Sequence, residues 1–185
     1  MADIDRIWEI VLERTVGVAH SIHGPDHWAR VERNGLYLAE QCGADPAIVR
    51  LFAVFHDAAR VNEGFDPGHG GRGADLARSM ASELSFLSEP DLERLYFACT
   101  WHTERTHHED VTVGACWDAD RLDLGRVGIR PRADHLNTDA ARQIASSGNL
   151  ELLETTTARN AHGAHSVSRT RSGLPAARSG ASRGP

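Results

Sequence analysis

A histidine and an aspartate stand side by side at His56-Asp57, with His27 upstream and the acidic residues Asp118 and Asp120 downstream. Imidazole nitrogens and carboxylate oxygens suit a divalent cation that keeps open positions for water, and such a cation polarises an oxygen and supplies hydroxide near neutral pH. Neighbours on a helix point about 100° apart, so a solvated helix gains little from this dyad, whereas a metal at a helix end can use both residues. His102, His107, His108 and Asp110 form a second, polar cluster, read as a solvated loop with His102 closest to the pocket. Arg60, three residues after Asp57, suits phosphate binding. His69 and Arg72 begin a helix after a glycine turn, where free backbone NH groups and the helix dipole favour an anion.

Other residues read as bystanders. His23 lies four positions before His27, but Gly24-Pro25 interrupts any helix between them, so no shared face is expected. His20, His135, His162 and His165 read as surface or capping residues. Arg121, Asp123 and Arg126 suit ion pairs around the last helix of the metal region. Phe65, Trp101 and Trp117 could stack on a base, although aromatic residues at helical spacing usually belong to a core.

Composition narrows the classes. Residues 1–154 carry 15 Arg against 26 acidic residues, a net −11, whereas residues 155–185 carry five Arg and no acid. An acidic body argues against a nucleic-acid platform. All 20 basic residues are Arg, which removes Schiff-base and Walker-type lysine chemistry and leaves phosphate contacts to guanidinium groups. Cys42, Cys99 and Cys116 lack paired spacing and read as reduced thiols. Without a basic, apolar leader or a run of ~20 apolar residues, a cytoplasmic protein that neither enters nor spans a membrane is expected.

Helices must place these groups. Ile4, Ile7, Trp8, Val11, Leu12 and Val16 predict a first helix over about residues 3–21. Gly24-Pro25-Asp26 starts a second that ends at Cys42, with His27 in its first turn. Asp45-Pro46 opens an apolar, central third helix. Residues 61–71 are rich in turn formers and read as an active-site loop. A fourth helix is expected over about Arg72 to Leu84, and Ser88-Glu89-Pro90-Asp91 caps a fifth that delivers His102. A sixth runs from about Thr112 to Leu124, and Thr138 to Ile144 add a seventh. No strand pair appears. The resulting expectation is an all-α, compact bundle of six to seven helices over residues 1–150, with a disordered, low-complexity tail over 151–185.

The order His, His-Asp, Asp, with gaps of 29 and 63 residues, resembles the HD-domain superfamily of metal-dependent phosphohydrolases. His27-Trp28-Ala29-Arg30-Val31 looks like its first motif and Phe55-His56-Asp57 its second. His69-Gly70-Gly71-Arg72-Gly73-Ala74 looks like its loop-to-helix motif, and Asp118-Ala119-Asp120-Arg121-Leu122-Asp123 its last. The resemblance covers residues 20–130. It implies a bundle of HD type with His27, His56, Asp57 and Asp120 as metal ligands, and Asp118 orienting a ligand or water. Mn, Mg, Fe and Ni all fit these donors. Asp57, Asp118 and His102 would act in catalysis, with Arg60, His69 and Arg72 on the phosphate of a small phosphorylated substrate such as a nucleotide. Arg60 replaces an acid found in many relatives, which keeps open a module that senses nucleotides without cleaving them. Relatives with extra histidines build two-metal centres, and oxygenation at a di-iron site is a third possibility.

Overall fold

Asp45 shows how local chemistry starts an element here. Its carboxylate accepts from the backbone NH groups of Ala47 and Ile48, and Pro46 occupies the first helical position, so the helix that follows begins where the backbone donors are already satisfied. In the computed structural model, which describes residues 2–15, 20–149 and 153, α1 spans Ala2–Arg14, α2 Pro25–Cys42, α3 Pro46–Phe55 and α4 His69–Ser79. Then come α5 over Glu89–Trp101, α6 over Val111–Leu122 and α7 over Asp139–Ser147, with 3₁₀ turns over Asp123–Val127 and Ala133–His135 between the last two. Among the described residues the fold is all-helical, with seven α-helices and no strand. The basic tail from residue 155, with His162 and His165, lies outside them.

The core forms around α3. Ile48, Val49 and the run from Leu51 to Phe55 are buried, and this helix packs against α1, α2, α4, α5 and α6. Burying a helix on all sides leaves polar work only to its ends, which is why the His56-Asp57 dyad follows its last turn. Ile4, Ile7 and Val11 of α1 face the core, and Trp8 meets Trp28 edge to face at 5.8 Å. Among the described residues no helix is long and apolar enough to cross a membrane.

Several element boundaries differ from expectation. The first helix stops at Arg14, Thr15 turns its hydroxyl back to the Val11 carbonyl, and residues 20–24 form a separate turn closed by Gly24 NH on the Ser21 carbonyl. Leu12, expected on the core face, is 38% exposed. The fourth helix begins at His69 instead of Arg72. Composition marks Gly70 and Gly71 as loop residues, but Gly70, like Gly73 in the helix, serves close packing: a Cβ on Gly70 would stand 2.3 Å from the Cys99 carbonyl oxygen, and one on Gly73 would stand 2.2 Å from that of Phe55. Beyond Ser79 the chain continues as turns to residue 86, keeping Met80 and Leu84 buried without a regular helix. Helix α6 ends at Leu122, and Asp123 already belongs to the 3₁₀ turn.

Candidate metal centre

Five helix ends converge on one buried point. His27 comes from the first turn of α2, His56 caps the C-terminus of α3 and Asp57 follows it, His69 opens α4, His102 caps the C-terminus of α5, and Asp120 lies in the last turn of α6. Each helix is anchored by its own apolar face, so the position of each donor follows from packing far from the centre.

The outward nitrogen of each imidazole is held by a group that only accepts. His27 Nδ1 donates to Asp123 Oδ2 at 2.7 Å, and His56 Nδ1 donates to the Phe52 and Ala53 carbonyls at 3.1 Å. His69 Nδ1 donates to the Asp66 carbonyl at 2.6 Å, and His102 Nδ1 donates to that of Cys99 at 2.8 Å. Nδ1 therefore carries the hydrogen in all four rings, and each neutral ring presents the Nε2 lone pair inward, as metal-binding histidines do.

Those inward nitrogens meet in pairs. His27 and His56 Nε2 lie 3.1 Å apart, and His69 and His102 Nε2 lie 3.0 Å apart. Two neutral rings whose lone pairs face each other need a proton or a metal between them, and two nitrogens bound at right angles to one cation at about 2.1 Å stand about 3 Å apart. The Asp57 carboxylate lies between the pairs. Oδ2 is 3.7 Å from the Nε2 atoms of both His27 and His56, while Oδ1 is 3.2 Å from His69 and 3.7 Å from His102. Oδ1 is buried and has no hydrogen-bond partner, an unmet demand that a bound cation would answer. Asp120 Oδ1 completes the first group, 3.3 Å from His27 and 3.8 Å from His56. Two triads, His27-His56-Asp57 and Asp57-His69-His102, could thus each hold a metal ion, sharing one carboxylate.

Protonation follows the same geometry. Burial pushes His56 down to about 4, against the opposing pull of Asp57 and Asp120. Burial also disfavours the charged form of His27, yet Asp120 and Asp123 outweigh it and raise the ring's pKa. His102 is likewise raised, because Asp57 outweighs its burial. Asp57 and Asp120 are both held below the usual carboxylate range: burial opposes this, but the surrounding imidazoles win.

The expected site residues divide sharply. His27, His56, Asp57, Asp120, His69 and His102 come together; Asp118 does not. It is buried on another side of α6, accepting from Asn137 NH and side-chain amide and from Thr138 NH and hydroxyl, so every acceptor site is taken up in tying α6 to the start of α7. Its expected catalytic and orienting role is corrected to a structural one. Asp123 orients His27 instead, while also accepting from Arg30 Nε at 2.7 Å. Arg72 spends Nη2 on both oxygens of Asp66, Nε on the Ala59 carbonyl and Nη1 on that of Pro67, and so staples the 61–68 loop instead of waiting for phosphate.

Arg60 does face the centre: Nη1 lies 3.1 Å from His69 Nε2 and 3.5 Å from Asp57 Oδ1. His69, expected on phosphate, and His102, expected as a general acid, have their inward nitrogens turned into the second triad. The cluster of His102 with His107, His108 and Asp110 is not assembled. His107 is exposed, His108 packs on Phe97 and Trp117, and Asp110 caps α6. Helical spacing could not reveal that His102 pairs with His69, because the pairing depends on how α4 and α5 cross.

His23 stands apart from the site in sequence, since no helix joins it to His27. The turn over residues 20–24 nevertheless swings it in, and Nδ1 reaches Asp57 Oδ2 at 2.9 Å while the buried Trp28 ring NH clamps its carbonyl at 2.7 Å. Arg126 reaches the Asp123 carboxylate at 3.6 Å as an ion pair, but Arg121 instead donates to the carbonyls of His102, Arg105, Thr106 and His135. No protein-family model, curated protein or solved structure matches this chain.

Proposed function

We propose that this chain is a metal-dependent phosphohydrolase of HD type, acting on a small phosphorylated molecule at the centre built on Asp57. The observation that carries the reading is the placement of both Asp57 oxygens between two inward-facing histidine pairs. Metal pairs bridged by a carboxylate are suited to clamping the attacking and leaving oxygens of a phosphoryl displacement. A divalent cation bound there supplies positive charge to a phosphoryl oxygen and lowers the pKa of water toward neutrality. The protein's own share is orientation. His23 fixes Asp57 Oδ2, Asp123 fixes His27, and Arg60 Nη1 offers a charged donor to a phosphate oxygen beside Asp57 Oδ1.

The deciding assay measures inorganic phosphate released from a panel of phosphomonoesters and nucleotides. Release that is abolished by a chelator and restored by Mn²⁺ is expected. Metal-dependent binding with no product would overturn hydrolysis in favour of a sensing module, which the arginine at position 60 favours. The Asp57-His69-His102 triad also supports oxygenation at a di-iron centre. Two irons per chain together with consumption of dioxygen would select it.

A further inference from the structure

Three large apolar side chains stand in solvent on the segments that carry His23 and Arg60. Phe65 is 92% exposed, Val61 74% and Ile22 51%. Single exposed apolar residues are ordinary, but two of these are joined to Asp57 through their chain neighbours. Ile22 precedes His23, which binds Asp57 Oδ2. Phe65 follows Gly64, whose carbonyl accepts from Arg60 Nη2 at 2.7 Å while Arg60 Nη1 lies 3.5 Å from Asp57 Oδ1. The Ile22 NH donates to Glu63 Oε2 at 3.3 Å, so the two segments meet and form one rim. Asp120 and His23, with side chains 17% and 15% exposed, are the most open groups of the centre, which places the opening on the side of the His23 turn.

The segment that presents Phe65 is stiff. Val61 NH donates to Asp66 Oδ2 at 2.9 Å, Gly64 NH donates to Asn62 Oδ1 at 2.8 Å, and Asp66 is gripped by Arg72 on its carboxylate and by His69 on its carbonyl. The backbone that carries the ring is therefore held in place, and the ring itself stands in water. Phe65 stacks on no other ring among the described residues. The other two aromatic candidates are spoken for. Trp117 is wholly buried, and Arg105 covers Trp101 at 4.8 Å.

We infer that Phe65, with Ile22, holds a planar aromatic group of the substrate, so that the centre selects the phosphoester of an aromatic-bearing molecule over that of a plain sugar or polyol. Arg60 and the metal centre take the phosphate end, and the rim takes the ring. This rests on the phosphoester reading. A fully exposed residue can be replaced without disturbing the core, so the variants are expected to fold.

Adenosine 5′-monophosphate and ribose 5-phosphate share sugar and phosphate and differ by the base. Calorimetry on the full Mn²⁺-loaded chain should show tighter binding of the first. Stacking on one aromatic ring is worth roughly 5- to 100-fold, and Phe65→Ala should collapse the ratio of the two affinities by that factor while Phe65→Trp preserves it. Equal affinities in the wild type, or an unchanged ratio in Phe65→Ala, would overturn the inference. So would a dimer, seen by light scattering, that Phe65→Ala dissociates with the ratio intact, because the rim would then hold a second copy of this chain. A preserved ratio effect without phosphate release from either compound would sink hydrolysis and leave the rim standing.

Discussion

Asp118 and Asp120 lie two residues apart on one helix and do opposite work. Their spacing turns them about 200° from each other, so only one can face the histidines. Asp120 does, while Asp118 accepts four donors at the start of α7. Asp118→Ala strands buried NH groups and is expected to lower stability by roughly 2–3 kcal/mol in denaturant titrations, with metal content unchanged. Asp123→Ala should differ in its effect on the metal: it leaves His27 in place without its outer partner, so metal affinity should drop about 10- to 100-fold in competition with a chelating dye, alongside the stability lost with its Arg30 contact. A loss of metal from Asp118→Ala with none from Asp123→Ala would exchange their roles.

At the scale of elements, the caps and apolar faces were plain in the residues. Asp45-Pro46, Ser88 and Thr138 each start a helix as their chemistry dictates. The crossing of α4 over α5 was not. It rests on Gly70, whose missing side chain makes room for the Cys99 carbonyl and the His102 ring, and a glycine-rich stretch looks the same whether it loops or packs. Gly70→Ala must push a backbone carbonyl away. Overpacking of this kind costs roughly 1–3 kcal/mol, and it should also part His69 from His102. Thermal unfolding and metal content together check this: a variant with wild-type stability and wild-type loading would refute the packing role.

Across the whole molecule, the His-Asp framework could be read from residue types because each donor sits at a helix end marked by its own cap or break. His23 and Asp123 could not, since both reach the centre from turns whose paths depend on tertiary packing. The assembled site also makes stability depend on pH. His56 is held to about 4 in the fold against 6.5 in an open chain, so below 6.5 the unfolded chain takes up a proton the fold refuses. That stabilising share is full above pH 6.5 and lost as pH falls toward 4, worth roughly 3 kcal/mol. His27 and His102 have the opposite sign: their contribution is full below 6.5 and fades as pH rises through their raised values. The metal-free chain should therefore be most stable near pH 6.5 in melting experiments. A melting temperature that climbs steadily from pH 6.5 down to 4 would contradict a neutral, buried His56.

The central claim is that one carboxylate serves two histidine pairs, and metal content per chain by elemental analysis tests it most directly. Purified wild type loaded with Mn²⁺ and freed of excess is expected to carry about two ions, His56→Ala and His69→Ala about one each, and Asp57→Ala almost none. Full loading of Asp57→Ala, or equal loading of all four proteins, would contradict it.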